Sequence, residues 1–81
     1  MAEKAVTSPY PGTFYRRPSP DAEPFVEEGD TIAAGDVVGL IEIMKTFHEL
    51  RSDADGVVAR FLVENEELVD AGQDIIALDA S

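Results

Sequence analysis

Cysteine and tryptophan are missing from this 81-residue chain, and histidine occurs once, as His48. The lack of cysteine excludes disulfide bonds, thiolate metal sites and cysteine nucleophiles. A single histidine excludes a metal site built from several histidines and argues against a Ser-His-Asp triad. Chains of this length form one small domain that buries about 60% of its unfolded surface, so a deep catalytic cleft is not expected.

Basic residues are also scarce. Six lysines and arginines stand against 17 acidic residues, which gives a net charge of −11. Such a surface repels phosphate backbones and anionic membranes, so we expect no nucleic-acid or membrane partner. No apolar run approaches the roughly 18 residues that span a bilayer, and no signal-peptide core is visible. We therefore expect a soluble, cytoplasmic protein.

Glycine and proline interrupt the chain at short intervals, and the segments between them are rich in Val, Ile, Leu and Phe. This pattern is typical of about eight short strands in a small sandwich or barrel. We predict one domain over residues 1–81, with a core from about 5 to 79. The acidic run at 64–67 is predicted to form a helical turn or a loop. Strands are expected at 5–8, 12–15, around Ile32, 37–43, 46–52, 57–63 and 74–78.

An internal repeat relates two parts of the chain. Residues 25–41 align with residues 62–78 at a constant offset of 37, with matching Val-Glu, Ala-Gly and branched apolar positions. Two similar halves predict quasi-two-fold symmetry. Gly12 and Gly56 would open the halves, but they lie 44 residues apart rather than 37, so the first half carries about seven extra residues. The surplus falls in the proline-rich loop at 16–24, a candidate functional insertion.

The predicted hairpin of residues 37–43 and 46–52 has an unusual turn. Tight hairpins favour Asn-Gly, Asp-Gly or another glycine pair, because both central residues need positive φ. Here the two turn residues are Met44 and Lys45, and the only other lysine is Lys4. A local rule broken without structural gain marks a candidate functional site. The alternative is an ordinary solvated surface lysine.

The turn sequence, residues 42–46 (EIMKT), resembles the biotin-attachment motif of biotinyl domains. The rest of the chain is similar to the biotinyl domains of bacterial acetyl-CoA carboxylase carrier subunits. The matching segments are Ser8-Pro9, residues 12–16 (GTFYR), residues 18–22 (PSPDA), Gly29, Gly35-Asp36, Gly56 and the late Val-Glu segment. The resemblance runs from about residue 5 to residue 78.

This resemblance implies a flattened β-barrel of two four-stranded antiparallel sheets, related by a quasi-dyad, with a protruding hairpin. It implies that Lys45 carries covalent biotin and that the loop at 16–24 is the "thumb", an insertion that lies near biotin in carriers of this type. By resemblance, Glu42, Met44 and Thr46 serve the turn and ligase recognition. The thumb residues implied to lie near biotin are Pro18, Ser19, Pro20 and Asp21.

The implied function is that of a carboxyl carrier without catalytic activity of its own. A biotin protein ligase would modify Lys45, a biotin carboxylase would load a carboxyl group onto the biotin, and a carboxyltransferase would pass it to acetyl-CoA or another acyl-CoA. No metal site is expected. The domain alone is expected to be a monomer, either a short free-standing carrier or an excised domain.

Two positions depart from the common pattern of the family. Biotinyl domains usually have Ala before Met44 and Met after Lys45, where this chain has Ile43 and Thr46. Sister lipoyl domains have Asp-Lys-Ala at the turn, so Met44 favours biotin. The alternatives are a lipoyl-type carrier of a dehydrogenase complex or the glycine cleavage system, an unmodified interaction domain on the same fold and, more distantly, a small acidic enzyme.

Overall fold

The computed structural model describes residues 3–79, which form eight β-strands. None of these residues belongs to a helix that could cross a bilayer. The strands follow the glycine and proline punctuation of the sequence, since neither residue favours a strand interior. Their bounds are β1 Glu3–Thr7, β2 Gly12–Tyr15, β3 Thr31–Ile32, β4 Val37–Ile43, β5 Thr46–Arg51, β6 Gly56–Phe61, β7 Glu67–Val69 and β8 Asp74–Asp79.

The strands form two antiparallel four-stranded sheets, which confirms the predicted fold class. One sheet has the order β1-β8-β6-β3 and the other the order β5-β4-β2-β7. The two orders match strand by strand: β1 corresponds to β5, β8 to β4, β6 to β2 and β3 to β7. The predicted quasi-two-fold relation is therefore present in the topology itself.

The quasi-symmetry extends to single hydrogen bonds. Gly35 N donates to Ser52 O at 2.7 Å, and Gly72 N donates to Ser8 O at the same distance. Both serines are buried, and each hydroxyl donates to the carbonyl two residues further along the chain. Their burial costs little because each hydroxyl has a partner. These bonds tie the end of β1 and the end of β5 to equivalent turns.

A single hydrophobic core fills the space between the sheets. Alternation along each strand directs one face inward, and the two inner faces meet there. Phe14 of β2 and its quasi-symmetric counterpart Val58 of β6 are almost completely buried. Gly12 and Gly39 allow the close approach of β2 and β4, because an added Cβ would lie 2.4 Å from Glu42 O and 2.5 Å from Phe14 Cε1, respectively.

The observed strands differ from the predicted ones mainly in the second half. β6 ends at Phe61 rather than continuing to residue 63, because Leu62 N donates to Ile75 O and the chain then turns into a loop. The segment 63–69 was expected to be a helical turn or a loop. It is a loop followed by β7, which pairs with the edge of β2 through Thr13 and Leu68. The predicted domain limits, 1–81, extend beyond the described residues and stay a prediction.

Candidate functional site

The turn between β4 and β5 has the geometry of a type I′ turn in a sequence that disfavours it. Met44 has φ 49° and Lys45 has φ 69°, and the pair Ile43 and Thr46 closes the hairpin. Residues with a Cβ in this left-handed region cost about 1–2 kcal/mol each. The sequence prediction of an unusual two-residue turn at 44–45 is confirmed, and both turn residues have the positive φ that side chains with a Cβ disfavour.

The turn presents its side chains to solvent. Met44 is 93% exposed, and Lys45 and Thr46 are also exposed. Lys45 makes no hydrogen bond or ion pair with any residue from 3 to 79. A primary amine therefore lies at the tip of the β4–β5 hairpin beside an exposed apolar side chain.

The base of the hairpin holds a small polar and aromatic cluster. Glu42 of β4 lies opposite Phe47 of β5 on one side and opposite Thr13 of β2 on the other. The Tyr15 hydroxyl donates to Glu42 Oε1 at 2.9 Å, and the Tyr15 ring meets the Phe47 ring edge-on, with centroids 5.6 Å apart. Glu42 belongs to the predicted site, whereas sequence reasoning missed Tyr15.

The hydrogen bond to Glu42 raises the pKa of the Tyr15 phenol above its ordinary value. Partial desolvation and the negative charges of Glu42 and Glu66 act in the same direction. The proton therefore stays on the phenol, which acts as a donor toward the carboxylate across the ordinary pH range.

The predicted thumb, residues 16–24, is an irregular loop with a fixed base. Phe25 N donates to Arg16 O at 2.9 Å and closes the loop. Arg16 N donates to Asn65 Oδ1 at 2.8 Å, and the Arg16 guanidinium lies 3.9 Å above the centre of the Phe61 ring. The first half of the repeat thus anchors its insertion on the second half.

The thumb and the hairpin share a small surface cavity of about 110 Å³. Three predicted thumb residues and two aromatic rings contribute to its lining, which also contains Arg17, Asn65 and Glu66. Asp21, the fourth predicted thumb residue, is exposed and does not line it. Phe47 lies two residues after Lys45 in the chain, so the cavity borders β5, the strand that follows the turn. The residues that carry this juxtaposition are Pro18, Ser19, Pro20, Tyr15 and Phe47.

His48 is a half-buried residue of β5 that packs against an aromatic ring. It lies inside β5 opposite Ile41, and its ring packs against Tyr10 with centroids 5.1 Å apart. Within residues 3–79 no three potential metal ligands come together. The chemically distinctive group near the turn is therefore the exposed amine of Lys45.

The sequence matches one family model and several known proteins that share a name. The Biotin_lipoyl family model, described as "Biotin-requiring enzyme", matches residues 4–78. The chain is 40% identical over 73 residues to a protein of Streptococcus pyogenes and 44% identical over 73 residues to one of Nostoc. It is 38% identical over 74 residues to a protein of Haemophilus influenzae. All three are named biotin carboxyl carrier protein of acetyl-CoA carboxylase.

The matches cover 90–91% of this chain but only 40–48% of those relatives, so the chain spans less than half of their length. Among solved structures, Kluyveromyces lactis urea carboxylase matches with a TM-score of 0.76 and 28% identity, over 98% of this chain and 6% of that one. A single-chain, multi-domain long-chain acyl-CoA carboxylase matches with a TM-score of 0.77 over 98% of this chain and 7% of that one. The TM-score shows that this enzyme contains the same fold, although the identity is only 23%.

Proposed function

Because this chain belongs to the Biotin_lipoyl family, we propose that it is the biotin carboxyl carrier of an acetyl-CoA carboxylase. The observation that carries the proposal is the Met44-Lys45 turn, in which two residues with positive φ present an unpaired amine at the tip of a hairpin. The names of the three bacterial and cyanobacterial relatives support biotin over lipoate as the group attached.

In this proposal a biotin protein ligase joins Lys45 Nζ to the valeryl carboxyl of biotin as an amide. The modification removes one positive charge, so the net charge changes from −11 to −12. When bound, biotin supplies a ureido nitrogen that accepts and releases a carboxyl group. The lysine stem and the biotin chain form a long flexible tether, which raises the effective concentration of the cofactor at two separate active sites.

The cavity between thumb and hairpin has the composition to receive the apolar and polar faces of biotin. Pro18 and Pro20 supply apolar surface on one side, and the Phe47 and Tyr15 rings supply it on the other. The Ser19 hydroxyl adds a hydrogen-bonding group. A few polar groups in an otherwise apolar lining are typical of small-molecule sites. We assign Pro18, Ser19 and Pro20 to this role, and we leave Asp21 outside it.

In this proposal the domain has no catalytic activity of its own and serves two partner enzymes. A biotin carboxylase and a carboxyltransferase are the proposed partners, with acetyl-CoA as the acceptor. The likeness to domains within urea and long-chain acyl-CoA carboxylases supports the same type of assembly. The choice of acceptor is tested by an assay that contains the biotinylated domain and both partner enzymes. Acetyl-CoA, a long-chain acyl-CoA and urea are compared as acceptors of the carboxyl group. The proposal includes a monomeric domain in the cytoplasm, which gel filtration and cell fractionation test.

Modification of the chain tests the proposal directly. The chain is co-expressed with a biotin ligase and, separately, with a lipoate ligase and lipoic acid, and intact mass and peptide mapping locate any added group. We expect one biotinyl group on Lys45, none in Lys45→Ala, and full modification in the matched control Lys4→Ala. Lipoyl transfer to Lys45, biotin on Lys4, or an unmodified chain beside a competent ligase would refute it.

A further inference from the structure

The carboxylates that flank Lys45 in the hairpin are both held by other groups. Glu42 lies three residues before Lys45 and accepts the Tyr15 hydroxyl at 2.9 Å. Glu49 lies four residues after Lys45 and pairs with the Arg51 guanidinium. Lys45 itself has no ionic partner within the described residues. Within the described residues, neither of these two carboxylates pairs with Lys45, although the chain has 17 acidic residues and six basic ones.

Glu42 is the carboxylate within easier reach of the turn. It lies opposite Phe47, and only the pair Ile43 and Thr46 lies between this rung of the hairpin and the turn that contains Lys45. A lysine side chain is long enough to bridge such a separation, and opposite charges at this range attract. A free Glu42 side chain would therefore compete for the Lys45 ammonium.

Tyr15 is placed to prevent that contact. It lies opposite Leu40 on the neighbouring strand, and its hydroxyl reaches along the sheet to Glu42. Its ring is fixed in turn by the edge-on contact with Phe47. One side chain of β2 thus restrains side chains of both hairpin strands at the base of the turn.

Resting on the proposed function, the geometry points to Tyr15 as a positioning residue that holds the Glu42 carboxylate away from Lys45. The Lys45 amine then stays clear of that carboxylate and is available to an acyl donor. In the acylation the nitrogen lone pair forms the amide bond, the bond from the acyl carbon to the leaving group breaks, and the amine proton passes to solvent. A Glu42–Lys45 ion pair would stabilise the charged, unreactive form.

Acylation of the unmodified chain by a water-soluble N-hydroxysuccinimide ester tests this inference without biotin or a ligase. The rate at Lys45 is read from its peptide by mass spectrometry, with the Lys4 peptide as an internal reference. Tyr15→Phe keeps the ring and removes only the hydroxyl. We expect this substitution to lower the acylation rate of Lys45 by about two- to five-fold at pH 8, the size of effect that an exposed ion pair produces. Tyr10→Phe removes a phenol that contacts His48 instead, and it should leave the rate unchanged.

The pH profile and a second substitution separate positioning from a general structural effect. The midpoint of Lys45 reactivity should move to higher pH in Tyr15→Phe. Glu42→Gln should abolish the effect, so that Tyr15→Phe in that background reacts as fast as Glu42→Gln alone. The titratable and charged groups on the elements around the hairpin base are Tyr15, Glu42, His48, Glu49, Arg51 and Glu66.

Two outcomes would overturn the inference. In one, Lys45 of the Tyr15→Phe variant is acylated at the wild-type rate, and the pH midpoint of its reactivity is unchanged. In the other, the variant is slow and Glu42→Gln does not restore it, which would make the hydroxyl a general support of the hairpin. Both are independent of the proposed function, because failure of that function appears as a missing biotinyl group on Lys45 in the wild-type chain.

Discussion

The two halves of this molecule share a strand topology but differ where β4 joins β5. The pairing of β4 with β5 corresponds to the pairing of β8 with β1, including a register shift at Val37/Gly39 in one and at Val6/Thr7 in the other. In the first pair the strands are joined by the Met44-Lys45 turn. In the second pair the corresponding strand ends are those of the described chain, Glu3 and Asp79. The candidate site therefore lies at a position where the quasi-symmetry relates a turn to two ends of the described chain.

A second difference lies between the loops that precede β3 and β7. Gly29 has φ 95°, and its counterpart Glu66, 37 residues later, has φ 68°. Their backbone N–H groups donate to equivalent carbonyls, Val58 O and Phe14 O. The second half therefore accepts backbone strain at a position where the first half has glycine, and Glu66 lines the cavity beneath the thumb.

The largest expected difference between the halves is in the core. Phe14 and Val58 occupy equivalent buried positions, but phenylalanine fills far more volume. Phe14→Ala should lower the free energy of unfolding by about 3–5 kcal/mol and Val58→Ala by about 2 kcal/mol, measured by urea denaturation. Since a domain of this size has about 4–12 kcal/mol of stability, Phe14→Ala should remove at least about a quarter of it. Equal losses would show that the two sheets share the core evenly.

The turn gives the next largest effect, and of opposite sign. Replacing Met44-Lys45 by Asn-Gly supplies residues that tolerate positive φ, so the free energy of unfolding should rise by about 1–3 kcal/mol. The same double variant should accept no biotin. Its matched control is Lys45→Arg, which also abolishes modification but keeps the strain and should leave stability within about 0.5 kcal/mol of the wild type. A less stable Asn-Gly variant would contradict the strain that we assign to this turn.

The smallest effect tests the paired loops. A Cβ added at Gly29 would have no atom within 4 Å. Gly29→Ala should therefore lower the free energy of unfolding by about 1 kcal/mol, through the positive φ alone. Glu66→Gly removes strain but adds unfolded-state entropy, so a gain of about 0.5–1 kcal/mol is expected. Thermal unfolding of both variants measures the contrast. If the two changes have the same sign, the loops are not energetic equivalents despite their matching hydrogen bonds.

Much of the fold follows from local sequence. β2 and β4 were predicted at their observed bounds, because prolines lie on both sides of β2, the Gly35-Asp36 turn precedes β4, and branched residues are frequent in β4. The repeat at an offset of 37 predicted the quasi-dyad that relates the sheets. β7 was missed, since Glu67–Val69 contains two exposed residues and becomes a strand only by pairing with β2.

The candidate site was predictable where it depends on one turn and not where it depends on distant contacts. The Met44-Lys45 turn breaks a rule that is local, so the sequence alone exposes it. Tyr15 and Glu42 are 27 residues apart, and their hydrogen bond requires the register of β2 against β4. The anchoring of Arg16 by Asn65, 49 residues later, depends in the same way on the folded arrangement.

The pairing of Glu3 with Asp79 also determines how this domain can be joined to other polypeptide. Both ends of the described chain leave from the β1–β8 side of one sheet, whereas the Lys45 turn projects from the other sheet. Segments attached before β1 or after β8 would enter and leave as neighbours, without crossing the lysine hairpin. A linker attached at either end would therefore join the domain at the β1–β8 edge of one sheet, whereas the Lys45 side chain belongs to a turn of the other sheet.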